Sequence, residues 1–202
     1  MSGSGHVDGL LAVLDLSSSD ARTTEDIFTG VSQAMPLGRV FGGQVLAQAV
    51  IDAERTVDDG RAAHSMHGYF LRPGDSLKGM TFSVDRIHDG RSFSTRRTQA
   101  FQDGVPIFSM IASFETDATG LEHQDEMPGG IPDPEELSDE LVLGGLHPMS
   151  KRHFDRSPVE VRHVEQPIYA DIDGERVAHQ SVWVRTRGAV PEDPRLHRAA
   201  LA

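Results

Sequence analysis

The stretch that decides the fold runs from Met80 to Glu115: MTFSVDRIHDGRSFSTRRTQAFQDGVPIFSMIASFE. At its start Met80, Phe82 and Val84 alternate with Thr81, Ser83 and Asp85, a period of two that predicts a half-buried strand. Asp89-Gly90 follows, a pair that favours a hairpin turn. Residues 91–102, RSFSTRRTQAFQ, alternate again, and Asp103-Gly104 supplies a second hairpin turn. Residues 105–115 are apolar on both faces, the pattern of a central strand. Two Asp-Gly turns between such runs predict three consecutive antiparallel strands.

Upstream, HSMHGYFL (64–71) reads as a further strand, stopped by the turn signal Pro73-Gly74-Asp75. Before it lies GRVFGGQVLAQAVIDAERTV (38–57), in which Val45, Leu46, Ala49 and Val50 recur at helical spacing, with Gly60 closing the unit. This helix is expected to bury an apolar inner face and to turn Asp52 and Glu54 to solvent. GLLAVLDL (9–16) carries a short helical pattern and TTEDIFTG (23–30) that of a short strand. The order is strand, helix, then at least four strands, an α+β unit.

Residues 116–158 change character. Pro128, Gly129, Gly130, Pro132, Pro134, Gly144, Gly145, Pro148 and Pro158, with acids between them, read as a linker holding one short helix near Pro134–Leu143. Strands then restart at VEVRHVE (159–165) and QSVWVRTR (180–187). PEDPRLHRAALA (191–202) reads as a helix, with Asp193 as N-cap and Pro194 in the first helical position. The expected division is a domain over 9–116, a linker over 117–157, and over 158–202 the beginning of a second, incomplete domain.

Composition narrows the function. Among 202 residues, 19 are Lys or Arg and 31 are Asp or Glu, a net charge of −12, which argues against a nucleic-acid partner held through a general basic surface. Cysteine is absent, which excludes disulfides, a thiol nucleophile and Cys-ligated metal, and fits a cytoplasmic protein. No apolar run reaches the length of a membrane span. No G-x-S-x-G elbow, phosphate loop, dinucleotide fingerprint or H-E-x-x-H is present.

Gly42-Gly43-Gln44 at the start of the long helix is the most chemical local feature. A helix N-terminus carries N–H donors and a partial positive charge that polarise a carbonyl oxygen in acyl transfer. The plainer reading, favoured by the residues alone, is that two glycines let the helix pack closely. His64 and His67, three apart in a strand, suit a shared metal poorly and are expected to pack or hydrogen-bond separately. Arg96 and Arg97 are neighbours in a strand, so only one can face a given ligand; solvated or cross-strand-paired arginines are expected there, with Arg91 nearby. Arg72, before Pro73, reads equally as a turn anchor or a ligand contact.

GRVFGGQVLAQAV, HSMHGYFLRPGD and DGRSFSTRRTQAFQDGVPIFSMIASFE resemble the N-terminal half of type II acyl-CoA thioesterases, and VRTRGAVPEDPRLHRAALA resembles the opening of that family's second half. The resemblance implies a double hot-dog, each half an antiparallel sheet wrapped around a central helix, with one hot dog complete here and a second only begun. It implies hydrolysis of fatty acyl-CoA to fatty acid and CoA by an activated water, without metal or cofactor. It implies a catalytic Asp, Thr and Gln, all expected beyond Ala202. Gln44 stands roughly where that Asp stands in the second half, and an amide is no general base. Gly42, Gly43, Gln44, His64 and Arg72 are then the candidate substrate-binding residues. Phe41, Val45, Tyr69 and Phe70 are candidates for the wall of an acyl tunnel or for core, with core expected for each. A homo-oligomer is expected, because an incomplete sheet leaves edges exposed. The alternative is a module that binds acyl-CoA or fatty acid without catalysis, or serves only as a structural partner.

Overall fold

The computed structural model describes residues 4–18, 25–58, 60–138, 157–165 and 178–202. These fall into two compact units, one of Gly9–Gly120 with Val190–Ala202, the other of Met1–Asp8 with Leu121–Ala189.

The first unit takes in the greater part of helix α1 (Ser4–Leu14). It holds strands β1 (Ser17–Ser18) and β2 (Asp26–Gly30), helix α2 (Gly42–Glu54), strands β3 (Arg61–Phe70), β4 (Met80–Asp89), β5 (Phe93–Gln102) and β6 (Val105–Thr116), and helix α3 (Pro194–Leu201). The strands form one sheet in the order β1-β2-β4-β5-β6-β3, every pair antiparallel. Helix α2 packs on β3, β4, β5 and β6, the α+β hot-dog arrangement. Both hairpins form where the Asp-Gly pairs stand. Asp103 and Gly104 take φ values of 51° and 75°, the left-handed backbone that a two-residue turn between right-twisted strands needs. The other turn closes where the Gly90 N–H donates to the Phe93 carbonyl at 2.8 Å.

The core gathers Val45, Val50 and Ile51 of α2, Phe82 and Val84 of β4, and Phe108, Met110 and Phe114 of β6. Strand β5 contributes differently. Ser94, Arg96, Thr98 and Gln102 are buried, while Phe93 on its opposite face is exposed. Arg96 is 1% exposed and holds several elements together. Its Nε donates to Thr56 Oγ1 at 2.7 Å and Nη2 to the Thr56 carbonyl at 2.8 Å, just past the end of α2. Nη1 donates to the His88 carbonyl at 3.0 Å, and Nη2 also reaches Asp89 Oδ1 at 2.6 Å. The arginine is thus cross-strand-paired but not solvated. Arg97 is exposed and pairs with Asp85 at 2.9 Å.

The expectation that Asp52 and Glu54 face solvent is overturned: Asp52 is 0% and Glu54 4% exposed. The helical pattern assumed a solvent side, but α3 covers α2 on the side of Glu54, bringing Ala199 into the core and Arg198 Nε within 2.6 Å of Glu54 Oε1, while Asp52 lies on another face of the helix. Gln44, Gln48 and Asp52, each four residues apart, form a buried polar stripe. Gln44 Nε2 donates to the Val31 carbonyl at 2.9 Å, and its Oε1 accepts from the Gln33 N–H at 3.0 Å. Gln48 Nε2 donates to the carbonyls of Val13 and Val31 at 2.7 and 3.0 Å. Asp52 is different, because neither of its carboxylate oxygens has a hydrogen-bond partner. Burial pushes its carboxyl up to about 8, against the pull of Arg55, whose Nη1 lies 3.9 Å away.

Strand β3 meets β6 so closely that Gly68 has no room for a side chain. A Cβ there would lie 2.7 Å from Phe108 Cζ, and Phe108 is itself buried at 1% exposure. Gly68→Ala is therefore expected to cost about 1–3 kcal/mol, because the added methyl overpacks against the buried Phe108 ring. Urea unfolding checks this: an unchanged midpoint would show that the ring has room to move.

In the second unit the two expected strands form as β7 (Val159–His163) and β8 (Val182–Thr186), and they pair antiparallel. A single 3₁₀ turn (Pro134–Glu136) stands where a short helix was expected; Asp133 accepts from the Glu135 N–H at 2.8 Å to start it, and residues 139–143 of that expectation lie outside the described residues. Trp183 Nε1 donates to the Pro132 carbonyl at 3.1 Å, and Glu160 accepts from both Arg162 and Arg185. Asp193 caps α3 through the Arg195 N–H at 2.9 Å, with Pro194 in the first turn.

Candidate functional site

Helix α2 begins at Gly42 with no side chain capping it at Phe41. Its first turn faces a cavity of about 280 Å³. The apolar wall is Val40, Val45, Phe70, Leu71 and Ile107, while Gly42 stands at one side and Arg72, Pro73 and Gly74 form the rim. The chain reaches this geometry through the Pro73-Gly74-Asp75 turn. There the Gly74 carbonyl accepts from the Val40 N–H at 2.9 Å, and Asp75 bridges to Arg39, which seats the residues before α2 against those after β3. Gln102 Oε1 holds the same turn from β5 by accepting from the Asp75 N–H at 2.7 Å.

Of the five candidate residues, the fold brings Gly42 and Arg72 to this cavity. Gly42 serves close packing as well, since a Cβ there would lie 3.1 Å from Phe70 Cζ. Arg72 is both turn anchor and rim: its Nη1 donates to the Pro106 carbonyl at 2.8 Å and its N–H to the Ile107 carbonyl at 3.2 Å. Gly43 lies against the Phe41 ring, and Gln44 points inward to Val31 and Gln33. His64 stands apart near the other end of β3, with Nε2 2.9 Å from Ser113 Oγ and its ring edge-on to Phe93. His67 meets Tyr69 instead of His64, so the two histidines make separate contacts.

Val45 is core, as expected, but Phe41, Tyr69 and Phe70 are exposed. The reason is position: Phe41 precedes the helix, and Tyr69 and Phe70 end an edge strand that pairs only with β6. The alternation of HSMHGYFL says nothing about whether its strand is central or at an edge.

The cavity carries one charged side chain, Arg72, at its rim. Among the described residues its lining holds no carboxylate, imidazole or hydroxyl. Such a place suits an elongated apolar group whose polar end lies at the rim; it offers nothing to take a proton from water. No group of three or more His, Asp or Glu among the described residues is arranged to hold a metal. A larger cavity, about 390 Å³, lies toward the other end of α2 between it, α1 and α3. Asp15, Asp193, Arg55 and Arg195 line it in opposing pairs of charge, together with leucines, so it selects no sign of ligand.

Known proteins resemble this chain over most of its length. The acyl-CoA thioesterase N-terminal domain family matches residues 31–115, and the acyl-CoA thioesterase family matches residues 150–202. Acyl-CoA thioesterase 2 of Haemophilus influenzae is 33% identical over 205 residues, covering 97% of this chain and 68% of that protein. Acyl-coenzyme A thioesterase 8 of Homo sapiens is 33% identical over 199 residues, covering 92% of this chain and 60% of that protein. The crystal structure of an acyl-CoA thioesterase II from Mycobacterium marinum superposes with a TM-score of 0.72 at 40% identity, covering 94% of this chain and 65% of the other. The chain thus spans between 60% and 68% of the length of these three relatives.

Proposed function

The chain belongs to the acyl-CoA thioesterase family, and from that premise we propose that it serves the hydrolysis of fatty acyl-CoA as the half that receives the acyl group. In this reaction water adds to the thioester carbonyl carbon, the carbon–sulfur bond breaks, and a proton reaches the departing sulfur, giving fatty acid and CoA. The single observation that carries the reading is the apolar cavity opening against the uncapped start of α2. An acyl chain lying along Val45, Phe70 and Ile107 brings its carbonyl toward the helix N-terminus, where partial positive charge stabilises a developing oxyanion. Arg72 at the rim suits the anionic CoA moiety.

Water must be activated from outside this lining, since no acid or base stands in it. The same feature favours, as a second reading, acyl-CoA binding without turnover. Two measurements separate the readings. Titration with a non-hydrolysable thioether analogue of acyl-CoA is expected to give saturable binding; no heat would remove both readings. Thiol release from fatty acyl-CoA above background supports catalysis, and binding without release supports the binding module.

We propose further that the protein self-associates. Among the described residues strand β3 pairs on one side only, which leaves ten residues of sheet edge, from Arg61 to Phe70, for another strand. No helix of the described residues is long and apolar enough to cross a membrane, and a cysteine-free chain suits the reducing cytoplasm that we assign to it.

A further inference from the structure

The geometry points to Phe70 as the residue that determines which acyl-chain lengths the cavity accepts, its ring acting as a movable wall that Gly42 leaves room for. The inference rests on the reading that the cavity receives the acyl group. Phe70 is the one aromatic residue in that lining. The rest of the apolar wall is aliphatic, and Val45 and Ile107 belong to the buried core, so those parts are held by packing.

Phe70 is held far less. It is the last residue of an edge strand and is 60% exposed. Its ring leans on Phe108 at a centroid distance of 4.9 Å, tilted by 43°, and on the bare backbone of Gly42. A Cβ at Gly42 would come within 3.1 and 3.2 Å of two ring carbons, tighter than ordinary van der Waals contact. The glycine therefore sets how far the ring settles against the helix. Rotation of a ring that is 60% exposed costs less packing than displacing Val45 or Ile107, which would open the core. With the ring in place, the cavity offers about 280 Å³ beside it, so the ring's position sets how much of a longer chain leaves water there.

Thioether analogues of acyl-CoA with short, medium and long saturated chains, titrated into the full chain and into its Phe70→Ala and Gly42→Ala variants, test this. Each methylene newly buried is worth about fourfold in affinity. Phe70→Ala is expected to carry the affinity gain per methylene on to longer chains, so that long analogues bind at least about fourfold tighter than to the unaltered chain while short ones lose affinity. Gly42→Ala, which pushes the ring outward, is expected to shift the profile without removing binding. Thermal unfolding of both variants identifies any loss caused by misfolding. If the unaltered chain binds none of the analogues, the functional reading itself fails. If it binds them and all three proteins share one length profile, the functional reading stands and the role of Phe70 is overturned. Loss of all binding in a folded Phe70→Ala protein also overturns it, because the ring is then a fixed wall.

Discussion

Arg96→Ala is expected to lower the stability of the chain by about 3 kcal/mol, the largest loss of any single side chain outside the apolar core. The guanidinium bonds the end of α2 through Thr56, the β4 backbone through His88 and the carboxylate of Asp89, all from a position with 1% exposure. Removing it leaves the Thr56 carbonyl and hydroxyl without this donor and opens a gap between helix and sheet. Asp89 is half-exposed and can return to water, which keeps the loss toward the lower end of that for breaking a buried ion pair. At present the Arg96 guanidinium holds the Asp89 carboxyl below its ordinary range, so the variant should also let that carboxyl titrate higher. Arg96→Lys should recover only part of the loss, because an ammonium cannot span three directions with a planar fork. Urea unfolding reads the effect as a lower midpoint at unchanged slope. A loss under about 1 kcal/mol would place Arg96 among ordinary surface residues.

The second large effect concerns Asp52, a fully buried carboxyl neither of whose oxygens accepts a hydrogen bond, with only Arg55 at 3.9 Å beside it among the described residues. Burial raises it from an ordinary 3.8 to about 8. Between those values the folded chain keeps a proton that the unfolded chain has lost, so folding takes up a proton. Stability is greatest below the unfolded value and falls as pH rises through the folded one. The expected loss from Asp52 across that window is on the order of a few kcal/mol. Asp52→Asn keeps the shape and cannot ionise, so its own contribution should be flat from acid to pH 8. The difference in pH dependence between the two proteins cancels whatever the amide itself costs. Parallel stability curves for both would show that Asp52 ionises as freely in the folded chain as in the unfolded one.

Much of the fold was legible in local chemistry. Asp89-Gly90 and Asp103-Gly104 announce their hairpins because few other pairs tolerate the backbone a tight turn needs. Asp193-Pro194 announces the start of α3 for a similar reason. What escaped depends on contacts between distant residues. Asp52 and Glu54 look like the solvent face of a helix, yet Glu54 meets Arg198, some 140 residues later in the chain, and Asp52 continues the row of Gln44 and Gln48, which bond to Val13 and Val31. Strand β5 alternates clearly, yet alternation does not say which row faces inward, and here the row with Arg96 and Thr98 does. At the candidate site, Gly42 and Arg72 stood out by type. The partner that completes the cavity, Phe70, was foreseen only as wall or core, because an aromatic residue in a strand carries no mark of ending at an edge. His64 stood out equally by type, but it falls at an irregularity of β3 between Ala63 and Ser65, where its Nε2 lies beside Ser113 Oγ, away from the cavity.

The central claim is that the acyl group lies beside the start of α2. It is tested most directly by photolabelling with a thioether analogue of acyl-CoA that carries a diazirine at the end of its chain, followed by peptide mapping. The account predicts adducts on Val45, Phe70, Leu71 or Ile107, suppressed by excess unlabelled analogue. Suppressible adducts on Leu11, Leu14 or Leu196, which line the larger cavity between the helices, would contradict it.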